Sequence, residues 1–320
     1  MNALLNVGAL VVGTLILIYA AKYLVEGLVG ISARFAVPPF ILAMLIISID
    51  LEEFAPAVIG AHLELTALAY ASVLGTVIFL IFLALGSAST IYPIKHPDFP
   101  VKYIIILGAF IGLNFVFAFD GSISSAEGII CIAVYLLWMV YLILDLRRNR
   151  AAKMEIEEAE GEEQQILKKN SWHFPSLYVG GLIGLVIGAL LVIQGVRTAL
   201  DWWGVSQTIL GVTLLAISAN SVELVEAIVP AKKGLPEVVI GNVTGSSIFQ
   251  LLFTVGIAAV IRPLQVERLA LGYDFPAVAF AWLLLLIVVL RGRTERAVGL
   301  GFMALYVLFV IGMVFLHITI

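Results

Sequence analysis

Five carboxylates stand inside stretches of this chain that are otherwise apolar. Asp50, Glu52 and Glu53 interrupt the run from Phe40 to Pro56, and Glu223 and Glu226 interrupt the run from Ala216 to Ala227. An acid at the centre of a membrane helix costs about 2.5–3.5 kcal/mol on insertion scales. Five central acids would cost on the order of 12–18 kcal/mol. Neither run contains Lys or Arg, so no fixed counter-charge lies beside them. A mobile cation, protons or both must neutralise the group. Asp50 and Glu53 are three apart and share a helix face, and Asn220, Glu223 and Glu226 repeat that spacing. Glu52 points about 100° away from Glu53 on an ideal helix, which suits a structural role as well as a ligand.

Further oxygen donors lie close by in sequence. Thr76 and Ser246 offer hydroxyls, and Gln250 and Asn242 offer carbonyl oxygens one turn to either side of Ser246. The same four residues could also serve helix packing. Oxygen-only ligation suits hard cations rather than zinc or copper. Ca²⁺ accepts 6–8 oxygens in flexible geometry and fits better than Mg²⁺, which demands a tight octahedron. The expected metal ligands are Glu53, Glu223, Asp50, Asn220, Glu226, Thr76, Ser246 and Gln250.

Those residues need helices that cross a bilayer, and the composition demands the same. Of 320 residues, 62% are hydrophobic and 12% charged, with a mean hydropathy of +1.11. Soluble domains carry about 25% charged residues, so a soluble enzyme, a nucleic-acid binder and a disordered chain are excluded. The lone Cys131 permits no internal disulfide. The N-terminus lacks a positive signal-peptide region, so the first apolar stretch is expected to be retained. Ten segments reach the roughly 20 apolar residues that a span needs: 3–26, 38–61, 67–89, 102–120, 124–145, 175–197, 206–230, 236–260, 269–290 and 297–317. The charged stretch 146–173 reads as a solvated linker. With these spans, fourteen Lys and Arg fall on the side of that linker and three (Arg197, Arg262, Arg268) on the other. By the positive-inside rule the linker is cytoplasmic and both termini lie outside, as expected of a multi-pass protein of the cell membrane. Trp202 and Trp203 suit the interfacial belt. Gly13, Gly181 and Gly184 suit close helix packing.

The chain also repeats itself. At an offset of 170, Ser48 meets Ser218, Glu53 meets Glu223, Gly75 meets Gly245, Phe79 meets Phe249 and Gly86 meets Gly256, while Thr76 meets Ser246. Upstream the offset is 168, with Gly13 on Gly181 and Gly27 on Gly195. Residues 1–145 and 174–320 thus form two five-helix repeats. An odd helix number inverts the second relative to the first, a construction of many secondary transporters. The fold expected is an all-α membrane protein of ten helices in two inverted halves. Pro56 stands where the second half has Glu226, and is expected to help break helix 2.

At these residues the sequence resembles the cation/calcium exchanger superfamily, which includes sodium/calcium and proton/calcium exchangers. Ala219-Asn220-Ser221-Val222-Glu223-Leu224 is similar to the Gly-Asn-Ala-Thr-Glu-Leu motif of proton/calcium exchangers. Ile240-Gly241-Asn242-Val243-Thr244-Gly245-Ser246 is similar to the helix 8 segment Gly-Asn-x-x-Gly-Ser. The resemblance covers nearly the whole chain. It implies ten helices, Ca²⁺ coordination by Glu53 and Glu223, and helix 3 and helix 8 hydroxyls at Thr76 and Ser246. Where sodium/calcium exchangers carry Gly-Thr-Ser-Leu-Pro-Glu, this chain has Ile49 and Ala219 for threonine, and Asp50 and Asn220 for serine. Ala71-Ser72 replaces Gly-Asn in helix 3, and Leu80 stands opposite Gln250. These departures favour protons over sodium as the exchanged ion.

The expected function is secondary antiport of a divalent cation, Ca²⁺ before Mg²⁺, against H⁺ or Na⁺. No cofactor is expected and no Walker-type sequence is present. The expected partners are the lipid bilayer and inorganic cations, without nucleic acid or an obligatory protein partner. An intramembrane aspartyl hydrolase would need two central Asp residues, and only Asp50 qualifies. A cation sensor or scaffold that has lost transport is the other alternative.

Overall fold

The structure, a computed structural model, describes residues 2–35, 39–95, 99–157, 173–203 and 221–319. Asn220, most of the linker and the start of the seventh expected span therefore lie outside the described residues, and of Glu52 only the backbone is described. The described residues are almost wholly helical. Among the described residues, seven helices are long and apolar enough to cross a membrane, and the apolar stretch His173–Gly188 is shorter. Contacts divide the chain into two compact units, residues 1–39 with 148–229 and residues 40–147 with 230–320. Each unit draws on both halves of the sequence.

In the first unit, α1 (Asn2–Phe35) lies along α8 (His173–Trp203). The two backbones approach closely because glycines line the seam. A side chain at Gly181 would meet the Leu24 and Ala20 backbone, and one at Gly27 would meet Tyr178. Leu17, Leu24 and Leu28 fill the remaining space. At 34 residues α1 is about 50 Å long, well over the roughly 30 Å hydrocarbon core.

The second unit begins with a helix that breaks. α2 (Pro39–Leu42) loosens into a π-helix over Ala43–Ile47, and the backbone turns at Ser48. Ile49 and Asp50 are not helical, and α3 resumes at Leu51 and runs to His62. The interruption was expected at Pro56, which instead sits inside α3. A proline removes the bond to the carbonyl four residues earlier, so its lesion falls at Glu52, downstream of the actual break. Then follow α4 (Thr66–Phe79), a π-helix over Leu80–Ala84, α5 (Leu85–Ile91), α6 (Val101–Ala118) and α7 (Ser125–Glu157). α7 runs on past Arg147 into the expected linker, because Ala151–Glu157 are mostly strong helix formers.

The later part of the chain repeats these bounds. α9 is Ser221–Lys232, α10 Pro236–Ile248, a π-helix covers Phe249–Thr254, and α11 is Val255–Ile261. α12 (Phe275–Arg291), entered through a π-helix over Ala270–Asp274, and α13 (Arg296–Thr319) complete the chain. The turn after α3 and the turn after α9 close in the same way. Leu65 N–H donates to Gly60 and Glu64 N–H to Ala61, while Leu235 N–H donates to Pro230 and Gly234 N–H to Ala231. This is the Schellman pairing, which puts one residue in the left-handed region. Glu64 and Gly234 take that position, with φ of 69° and 72°.

Two short ribbons and two glycine crossings bind the early and late parts of this unit. β1 (Ile94–Lys95) pairs antiparallel with β4 (Arg293–Thr294), and β2 (Ser122–Ile123) pairs with β3 (Leu264–Gln265). Each ribbon joins loops that the sequence places on the same side of the membrane. A Cβ at Gly86 would lie 3.0 Å from the Gly299 carbonyl, and one at Gly128 would lie 2.8 Å from the Gly256 carbonyl. α5 thus crosses α13 as α7 crosses α11.

These crossings predict opposite signs for one substitution. Gly112 in α6 has open space around it, so Gly112→Ala should stabilise by up to about 1 kcal/mol through helix propensity. Gly128→Ala should destabilise by about 1–3 kcal/mol through overpacking. Thermal unfolding in detergent reads both. The loop ends carry a second prediction. Arg262 forms an ion pair with Glu64 and holds its exposed carboxyl below the usual carboxylate range. The small stabilisation is present at neutral pH and lost as pH falls through that lowered value. Arg262→Gln should remove this acid-side loss from the midpoint-versus-pH curve.

Candidate cation-binding site

The break in helix 2 sets the geometry of the site. Asp50 opens α3 with φ −79° and ψ 80°, and its side chain does not cap that helix. It is nevertheless buried. Just upstream, the Ser48 hydroxyl donates to the Met44 carbonyl. Ser48 and Met44 pack on Gly245, where any side chain would collide with both. The absence of a Cβ there lets the broken segment reach α10 beside Ser246.

Glu53 follows one turn into α3. Thr76 in α4 donates its hydroxyl to Glu53 Oε2 at 3.1 Å. Phe54, the next residue, stacks on Phe253 at 5.7 Å and meets Phe249 at 6.1 Å. Tyr135 joins the same aromatic cluster. The cluster clamps α3 to the π-helix Phe249–Thr254, which carries Gln250. The second unit thus brings together Asp50, Glu53 and Thr76 with the helices that carry Ser246 and Gln250.

Ser246 and Gln250 are almost wholly buried, and among the described residues neither side chain has a hydrogen-bond partner. Asn242 is buried in the same helix. Buried groups such as the Ser246 hydroxyl and the Gln250 amide ordinarily have a ligand or water to serve them. Glu223 and Glu226 lie in the first turns of α9, three apart, and both are buried. Among the described residues, no three His, Cys, Asp or Glu side chains gather as a metal site. Any cation held beside Asp50 and Glu53 therefore needs neutral oxygens as well as the carboxylates.

Among the described residues, one buried acid and one buried amide escaped the sequence reading. Asp274 ends the π-helix Ala270–Asp274 at 8% exposure. Its signal was an acid five residues inside an apolar span. Asn114 in α6 is fully buried, and its amide donates to Phe110 and to Leu251 of the π-helix. A single Asn in an apolar helix gave no hint of that second contact.

The family described as sodium/calcium exchanger protein matches residues 5–144 and 173–315. The chain belongs to the sodium/calcium exchanger family. It is 25% identical over 304 residues to the inner membrane protein YrbG of Escherichia coli, covering 93% of each chain. It is 26% identical to the putative antiporter CaxA of Alkalimonas amylolytica, covering 89% of this chain and 90% of that one. Among solved structures, the sodium-calcium exchanger NCX_Mj soaked with zero Na⁺ and Ca²⁺ superposes with a TM-score of 0.83. That match has 22% identity and covers 97% of this chain and 99% of that one, which shows a shared fold. As an exchanger-family member the chain is a multi-pass membrane protein, as its apolar helices require.

The Thr76 contact carries a prediction of its own. Thr76→Val keeps the volume and deletes the hydrogen bond to Glu53. Hydrogen bonds to charged groups contribute about 1.5–3 kcal/mol. The variant should lose roughly that much thermal stability in cation-free detergent, less whatever water restores. Unfolding midpoints of the two proteins, compared without divalent cations, check it.

Proposed function

We propose that this exchanger-family protein is a secondary antiporter exchanging Ca²⁺ for H⁺ or Na⁺ by alternating access. The observation that carries the reading is Glu53. It is an acid in an apolar bundle, placed just beyond a helix break and hydrogen-bonded by Thr76. Its repeat partner Glu223 is buried as well. The proposed Ca²⁺ ligands are Glu53 and Glu223, helped by Asp50, Asn220, Glu226, Thr76, Ser246 and Gln250. Carboxylates and neutral oxygens in this mixture suit a hard cation of flexible coordination. A counter-ion competing for the same carboxylates couples the two fluxes, because the group can be neutralised by one or the other. The names of the relatives, a putative antiporter and a sodium-calcium exchanger, agree with this reading.

The proposed architecture is ten helices in two inverted halves, residues 1–145 and 174–320, joined by a cytoplasmic stretch at 146–173 with both termini outside. Its support is the recurrence at an offset of 170 of α3 in α9, α4 in α10 and α5 in α11. The paired ribbons and glycine crossings follow the same relation to within one residue, with β1 and Gly86 recurring in β3 and Gly256 and, one residue later, β2 and Gly128 in β4 and Gly299.

The test is ⁴⁵Ca²⁺ uptake into liposomes holding the purified protein, driven by an outward proton gradient and then by an outward sodium gradient. Uptake with one gradient, abolished in Glu53→Gln and in Glu223→Gln, is the expected result and names the counter-ion. Absence of uptake with either gradient, and of Ca²⁺/Ca²⁺ exchange, would overturn the reading.

A further inference from the structure

Tyr135 and Tyr306 stand at equivalent places in the two repeats. Tyr135 lies seven residues beyond Gly128 in α7, and Tyr306 seven beyond Gly299 in α13. Residues at that spacing share a helix face. Both glycines make close backbone crossings, Gly128 with Gly256 and Gly299 with Gly86. Seven residues before those two partners stand Phe249 and Phe79. The rings meet there. Tyr135 packs edge-on to Phe249 at 5.8 Å and 72°, and Tyr306 edge-on to Phe79 at 5.6 Å and 86°. Each tyrosine is thus about 10 Å along its helix from the glycine crossing. It reaches the turn that carries a proposed hydroxyl ligand. Phe79 is three residues after Thr76, and Phe249 three after Ser246, in each case on one face of a helix. Thr76 is the donor to Glu53. Tyr135 is buried and Tyr306 half-buried. The Glu53 charge acts on the Tyr306 hydroxyl, and the Asp50 charge on that of Tyr135.

We propose that Tyr306 and Tyr135 are positioning residues of the cation site, whose phenol hydroxyls hold the Glu53 and Asp50 carboxylates in their ligating orientation. The proposal rests on the Ca²⁺ antiport reading, since it concerns the same carboxylates. The chemistry gives the sign. A phenol keeps its proton near neutral pH. Its hydroxyl hydrogen rotates to suit its partner, so beside a carboxylate it turns towards the acid. Each tyrosine therefore adds a donor without adding a charge, and the cation still meets the full charge of both acids. The edge-to-face contact with phenylalanine fixes the ring and with it the line of the hydroxyl. A carboxylate already held by a donor has less freedom to lose when the cation arrives, which strengthens binding. Phenylalanine at either position would keep the ring contact and supply no donor.

The experiment is equilibrium binding of ⁴⁵Ca²⁺ to the purified full-length protein in detergent, beside gradient-driven uptake into liposomes. Tyr306→Phe and Tyr135→Phe are compared with Tyr273→Phe. The Tyr273 hydroxyl donates to the Phe309 carbonyl at 2.7 Å, a bond between helices rather than to an acid. Tyr306→Phe should raise the Kd for Ca²⁺ and the half-saturating concentration for uptake about tenfold, the loss of one hydrogen bond to a charged group, with the maximal rate kept. Tyr135→Phe should act in the same direction. Tyr273→Phe should lower the unfolding midpoint and leave the Kd as it is. A Kd unchanged in both Tyr306→Phe and Tyr135→Phe, or raised equally in all three variants, would overturn the proposal and leave the two rings as packing alone. Weaker binding in Tyr306→Phe, in a protein without Ca²⁺ flux, would sink the antiport reading and keep the positioning role. Flux with a Kd indifferent to both hydroxyls would do the reverse. A wild type that binds no Ca²⁺ would sink both.

Discussion

Carboxylates buried in an apolar bundle are the constraint on which the rest of this structure depends. Asp50 and Glu53 are costly in hydrocarbon surroundings. The fold meets that cost with devices that bring neutral oxygens to them. The chain breaks at Ser48–Asp50 rather than staying helical. Gly245 gives up its side chain so that the broken segment can approach α10. Thr76 turns its hydroxyl to Glu53.

Packing around the site is correspondingly rigid. Phe54, Phe249, Phe253 and Tyr135 form one aromatic cluster next to Glu53. Aromatic pairs contribute about 0.5–1.5 kcal/mol each beyond the area they bury. Close glycine crossings replace the hydrophobic drive that lipid cannot supply between helices. The fold therefore holds Glu53 and its neighbours on well-packed elements, with the buried Ser246 hydroxyl and Gln250 amide nearby in α10 and its π-helix.

The sequence made some of this legible and hid the rest for physical reasons. Glu53, Glu223 and their spacing were visible because acids contrast with an apolar background. The repeat was visible because Gly, Ser and Glu recur at one offset. The place of the helix break was misjudged. Proline was given the blame, whereas the interruption at Ile49–Asp50 comes with tertiary contacts between Ser48 and Gly245. The π-helices have no sequence signature, so the register of Gln250 and Thr254 and the tie from Asn114 could not be read. Asp274 was overlooked because an acid near the end of an apolar run looks like a boundary residue. Of Asn220, a residue the sequence singled out, the described residues say nothing.

The interleaving of the second unit bears on how the protein is made. When a ribosome has delivered residues 40–147, Gly86 and Gly128 present bare backbone with nothing yet to close on it. The partners, Gly299 and Gly256, arrive only near the end of synthesis. Half of each ribbon waits as well, since β1 needs β4 and β2 needs β3. The early helices must therefore persist in the lipid as inserted but unassembled segments. Biogenesis of this unit is completed by its last helices, and a chain truncated before Gly299 leaves it open.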